Sequence, residues 1–196
     1  GGYQGVDIAG IYISSAAVNR QLCPDGTYNT DGLGECDDVS SGYQGVDASG
    51  EYIPEGAINR QECPEGTYST DGKGSCKVVP GGYQAADVSG GSYTLNGAKA
   101  IKICPSGKYK PDGSGECMDI SAGYQGVDDS GIYISTGASH QKMCPDGSYN
   151  TDGTGACDDV PSGHQGVDAS GIYVEEGAIN KQACPSGSYN TYGSGP

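Results

Sequence analysis

The sequence predicts an all-β, small, disulfide-rich fold: a linear tandem array of units of about 40 residues, built from short strands and hairpins and stacked into an extended rod. Three observations predict it. One motif recurs at a fixed period, paired cysteines recur at a fixed spacing, and the composition cannot fill a conventional core. Of 196 residues, 36 are Gly, 15 Tyr and 9 Cys, with no Trp or Phe and only 34% hydrophobic content. A globular domain of this length normally buries a large aliphatic and aromatic interior.

The period defines the units. Gly42-Tyr43-Gln44-Gly45-Val46-Asp47 has counterparts beginning at Gly2, Gly82, Gly123 and Gly163, and Cys-Pro pairs begin at Cys23, Cys63, Cys104, Cys144 and Cys184. Both series step by 40, with one step of 41 whose extra residue falls at Gly90-Gly91. The resulting repeats are 1–40, 41–80, 81–121, 122–161 and 162–196, the last stopping before its second Cys.

Within a unit, helix is excluded by Gly or Pro at nearly every ten residues and by the lack of any sustained apolar stripe at helical spacing. Short strands fit better. Tyr43 to Val46 and Glu51 to Ile53 flank the turn-forming Asp47-Ala48-Ser49-Gly50, which predicts a hairpin, and a third strand is expected over Ala57 to Glu62. The cluster Thr70-Asp71-Gly72-Lys73-Gly74 then supplies residue types that tolerate positive φ. A Pro-x-Gly-aromatic turn occurs twice per unit, once without the Cys (Pro80-Gly81-Gly82-Tyr83) and once with it, so two small hairpins per repeat are expected.

Cysteines recur thirteen positions apart, which predicts the bridges Cys23–Cys36, Cys63–Cys76, Cys104–Cys117 and Cys144–Cys157. The partner of Cys184 is expected at position 197, beyond the chain end. Dense, regular cysteines in small units predict an extracellular or cell-surface location. Packing between repeats is expected from the tyrosines: Tyr3, Tyr12 and Tyr28; Tyr43, Tyr52 and Tyr68; Tyr83, Tyr93 and Tyr109; Tyr124, Tyr133 and Tyr149; and Tyr173 and Tyr189. His164 occupies the slot that Tyr fills in the other four repeats.

The string from Cys63 to Cys76, Cys-Pro-Glu-Gly-Thr-Tyr-Ser-Thr-Asp-Gly-Lys-Gly-Ser-Cys, resembles the ephrin-receptor-like, EGF-like cysteine-rich modules of secreted and surface proteins. The resemblance covers about the Cys-to-Cys third of each unit. It departs where those modules often place a further Cys, in a C-x-x-C step, since here the closing Cys36 leads into Asp37-Asp38-Val39. It implies an extracellular scaffold or recognition role without catalysis, and at the level of architecture the array resembles flagellar-hair appendage proteins.

Other chemistry is sparse. The charge of −15, from 25 acids and 10 bases, excludes a nucleic-acid partner, and no apolar run is long enough for membrane insertion. Asp7, Asp47, Asp87, Asp128 and Asp168 head D-x-S-G-like turns, read as Asx-turns rather than calcium loops. No metal site and no cofactor are expected beyond loose divalent binding by the acidic surface, and no nucleophile or phosphate-loop motif marks an enzyme. No Asn lies in an N-glycosylation motif, whereas Thr27, Thr30, Thr67, Ser69, Thr70, Ser148 and Thr151 are chemically suited to O-linked sugar. The function expected is a structural subunit of an extracellular filament, fibre or appendage, whose partners are further copies or repeats of itself and glycans. The alternative is the stalk or binding module of an adhesin or receptor ectodomain, with the distinctive third repeat and its Lys99, Lys102, Lys108 and Lys110 as the candidate site.

Overall fold

The structure, a computed structural model, describes residues 1–195. Among them there is no helix, and every regular element is a strand of two or four residues. The chain forms two compact units. One comprises Gly1–Val79, Ala85–Lys102 and Gly113–Gly115; the other comprises Pro80–Gln84, Ile103–Asp112 and the segment from Glu116 onward.

In the first unit β1 (Tyr3–Val6) pairs antiparallel with β2 (Asn19–Leu22), and β3 (Thr27–Tyr28) with β4 (Asp37–Asp38). The same two hairpins recur as β5 (Tyr43–Val46) with β6 (Asn59–Glu62), and β7 (Thr67–Tyr68) with β8 (Lys77–Val78). Strands β9 (Tyr83–Ala86) and β10 (Ala100–Ile103) come next along the chain. In the second unit β11 (Lys108–Tyr109) pairs with β12 (Met118–Asp119), β13 (Tyr124–Val127) with β14 (His140–Met143), and β15 (Ser148–Tyr149) with β16 (Asp158–Asp159). β17 (His164–Val167) and β18 (Asn180–Ala183) form its last pair.

The large hairpin differs from the sequence expectation. β5 pairs along its whole length with β6, while Tyr52 makes only a single bridge, to Val46. The Asp47 turn does close, with the N–H of Asp47 donating to Glu51 O, and the N–H of Ile53 reaches Gly45 O. Gly56, at φ +73°, then turns the chain back before a second rung can form. The expected strand over Ala57 to Glu62 begins instead at Asn59, because Ala57 is drawn into a parallel bridge with Tyr28.

The core is thin and lacks aromatics. In the first unit Val39, Val46, Ala57, Cys63 and Val79 are buried; in the second, Ile120, Val127, Ala138, Cys144, Val160 and Ala178 are. Small side chains suffice because each hairpin is two strands deep, and the chain recovers its cohesion from cross-links and backbone hydrogen bonds.

Candidate functional site: the junction between successive repeats

Each small hairpin is closed by a disulfide: Cys23–Cys36, Cys63–Cys76, Cys104–Cys117 and Cys144–Cys157, every pair thirteen residues apart with Cα atoms 5.6–5.7 Å apart. Cys184 is a half-exposed free thiol, and position 197 lies outside the described residues. The first cysteine of each bridge also anchors the main chain. The N–H of Cys63 donates to Gly42 O, and its carbonyl accepts from the N–H of Gly97 in the following repeat at 2.8 Å.

That second bond belongs to a junction repeated along the chain. Gly56 N–H donates to Cys23 O and Asn29 N–H to Ala57 O, and the pattern recurs as Gly97 to Cys63 with Ser69 to Ala98. In the second unit it recurs as Gly137 to Cys104 with Lys110 to Ala138, and as Gly177 to Cys144 with Asn150 to Ala178. A parallel bridge sits at each: Tyr28–Ala57, Tyr68–Ala98, Tyr109–Ala138 and Tyr149–Ala178. These are backbone-to-backbone contacts, so they tolerate changes of side chain from repeat to repeat.

Side chains reinforce the junction at positions that no sequence motif marks. Asp25 accepts from Gly74 N–H through both carboxylate oxygens, at 3.0 and 3.1 Å, and from the Tyr52 hydroxyl at 3.3 Å. Asp146 does the same with Gly195 and Tyr173, and Glu65 accepts from the Tyr93 hydroxyl. Burial, followed by the Asp25 charge, raises the Tyr52 phenol above its usual 10.0, and burial with Asp146 raises Tyr173 in the same way. A phenol raised on folding contributes stability that is whole below pH 10 and lost as pH climbs through the folded value. Replacing Tyr52 and Tyr173 together by Phe is therefore expected to lower the melting temperature at pH 8, with the gap from wild type narrowing as pH rises above 10.0 in paired thermal melts.

Two further polar groups hold each unit together. Gln44 Oε1 accepts from Cys76 N–H at 2.9 Å, as Gln4, Gln84 and Gln125 do from Cys36, Cys117 and Cys157. Buried Asn150 plugs the Asp-Gly loop, taking Gly153 N–H on Oδ1 and donating Nδ2 to the carbonyls of Thr154 and Gly155; Asn29 and Asn190 act alike. Sequence spacing offers no clue to the Gln–Cys contact, which links residues 32 or 33 positions apart.

The tyrosines expected at repeat contacts are half-buried, except Tyr189, which is 86% exposed. Several are covered by cations: Arg20 lies over Tyr3, Arg60 over Tyr28 and Tyr43, and Lys181 over Tyr149. The Tyr43 hydroxyl donates to Glu62, which raises its phenol. Asp47 is occupied within its own turn, accepting from the Ser49 and Glu51 N–H groups and the Ser49 hydroxyl, and that hydroxyl leads in lowering its carboxyl. The turn at Asp87, where Gly90-Gly91 adds a residue, instead closes on Ser92 O.

The candidate sugar-bearing hydroxyls divide into two groups. Thr27, Thr67 and Ser148 donate to Pro24, Pro64 and Pro145 carbonyls, and Ser69, which is buried, accepts from Gly72 N–H. Sugar on Ser69 or Ser148, 3% and 8% exposed, would require opening the hairpin. Thr30, Thr70 and Thr151 are exposed.

Of the four lysines that distinguish the third repeat, Lys108 pairs with Asp119, and Lys110, only 7% exposed, reaches toward Asp112 from the slot that Asn or Ser fills elsewhere. Lys99 is exposed and Lys102 half-exposed. His140 lies near Ser139 and Asp129, and His164 near Ser162. An open groove of about 640 Å³ runs past Asp25, Asp38, Asp71 and Lys73. No group of three or more His, Cys, Asp or Glu able to hold a metal ion occurs among the described residues. Among the described residues no helix is long and apolar enough to cross a membrane.

No protein-family model matches the chain, and no curated protein matches it. The folded chain is a small, disulfide-rich, all-β array of hairpins. Disulfides in this number mark a secreted-type protein outside the reducing cytosol.

Proposed function

We propose that the chain is a structural subunit of an extracellular fibre or cell-surface appendage, and that its work is mechanical. The observation that carries this reading is the junction, where a cross-linked hairpin gives its backbone N–H and C=O groups to the next repeat at Gly56, Gly97, Gly137 and Gly177 alike. An array joined in this way resists pulling through main-chain bonds in parallel with disulfides, and each added repeat supplies the same surface again. The Cys-Pro-x-Gly-x-Tyr hairpin also resembles ephrin-receptor-like modules of surface proteins, which favours the same compartment. The acidic surface keeps neighbouring arrays dispersed until a specific contact forms.

Electron microscopy of the unreduced full chain tests the proposal. Long filaments with an axial period set by these repeats are expected. Short rods of defined length that end in a globular head would sink it and favour an adhesin stalk.

A further inference from the structure

The outer strand of the large hairpin carries one base in every repeat: Arg20 on β2, Arg60 on β6, Lys102 on β10, Lys142 on β14 and Lys181 on β18. These strands hold five of the 10 bases in the chain and only one of its 25 acids, Glu62. Two of the small hairpins carry exposed acidic pairs, Asp37-Asp38 on β4 and Asp158-Asp159 on β16, whereas β8 carries Lys77 and β11 carries Lys108.

On β6 and β18 the free edge of the outer strand is blocked at one N–H. Cys63 N–H bonds Gly42 O, so in the antiparallel alternation Arg60 opposite Gly45 turns its own N–H away from β5. Asn59 Oδ1 accepts that N–H at 2.8 Å, and Asn180 does the same for Lys181. A blocked backbone edge is a device against sheet extension. What remains outward is side-chain charge.

We propose that the basic outer strands bind the acidic β4 and β16 hairpins of a second copy of this chain, giving side-by-side association read by charge rather than by backbone pairing. The proposal rests on the structural reading above and supplies its lateral contact. A net charge of −15 repels at long range, while the complementary strands attract only at contact. Association should therefore peak near physiological salt, where a screening length of about 8 Å damps the repulsion, and fail near 1 M, where about 3 Å remains.

Sedimentation velocity on the full chain provides the test. Lys102→Glu with Lys142→Glu leaves the ring-stacked Arg20, Arg60 and Lys181 intact. A second variant changes Asp37, Asp38, Asp158 and Asp159 to Lys. Each variant alone is expected to self-associate at least about tenfold more weakly than wild type at 0.15 M salt, and an equimolar mixture of the two should regain association. Wild type that stays monomeric across the salt range overturns the proposal. So does unchanged self-association of the variants, or a mixture that does not recover. Pairing without fibres in the microscope would remove the structural reading and leave this contact standing; fibres whose single arrays never pair would do the reverse.

Discussion

Gly72→Ala is expected to destabilise its hairpin by about 3 kcal/mol or more, whereas Gly74→Ala, two residues further along the same loop, should cost only about 1 kcal/mol. Both glycines have left-handed backbones, φ +77° and +71°, so both replacements carry the conformational penalty. They differ in what the new methyl would meet. At Gly72 it would lie 1.9 Å from Val39 O and 2.6 Å from Val39 C, both backbone atoms of the preceding repeat. At Gly74 nothing lies within 4 Å. Gly153 and Gly193 repeat the crowded case against Ile120 O and Val160 O, at 2.1 and 2.0 Å. Gly155, with φ +78° and nothing within 4 Å, is a second open control. Denaturant melts of the three variants separate the two costs. Equal losses at Gly72, Gly74 and Gly155 would mean that the loop does not bear on the repeat before it.

What could be read from the sequence, and what could not, follows from the reach of each interaction. The thirteen-residue step from Cys63 to Cys76 and the Asp47 turn are local, so spacing and residue type expose them. The partner of β5 was harder to read. Asn59–Glu62 is exposed at all four positions, so no alternation of apolar and polar residues marks it as a strand, while Asp-Ala-Ser-Gly points to the nearer Glu51–Ile53. Contacts across the junction are hidden for a different reason. Asp25 meets Gly74 49 positions away, but an array repeating every 40 residues also offers the equivalent Gly34 nine positions away, and periodicity cannot say which is used. Lys110 shows the cost of reading charge without burial. It looked like part of a basic surface patch, yet it fills the interior slot of Asn29 and Asn150.

Removing one disulfide should loosen two repeats rather than one. Cys63→Ala with Cys76→Ala opens a loop of thirteen residues, a loss of about 3 kcal/mol through the freed entropy of the unfolded chain. If the bridge acted only there, protection would fall evenly across the chain. The geometry points instead to a local opening. Cys63 is fully buried, its N–H holds Gly42 O, and its carbonyl holds Gly97 N–H at the start of the neighbouring junction, with Ser69 N–H to Ala98 O beside it. Once the hairpin frays, both junction bonds lose their rigid partner. Hydrogen exchange is therefore expected to accelerate at the Ser69, Val79 and Gly97 amides together, while Asn150 and Gly177, which rest on the intact Cys144–Cys157 hairpin, keep their protection. Full reduction extends the argument. Four bridges at about 3 kcal/mol each match or exceed the whole stability of an ordinary small domain, so the reduced chain should lose its fold and its strand signal in circular dichroism. A reduced chain that keeps its exchange protection would shift the burden of cohesion from the sulfurs to the junction bonds alone.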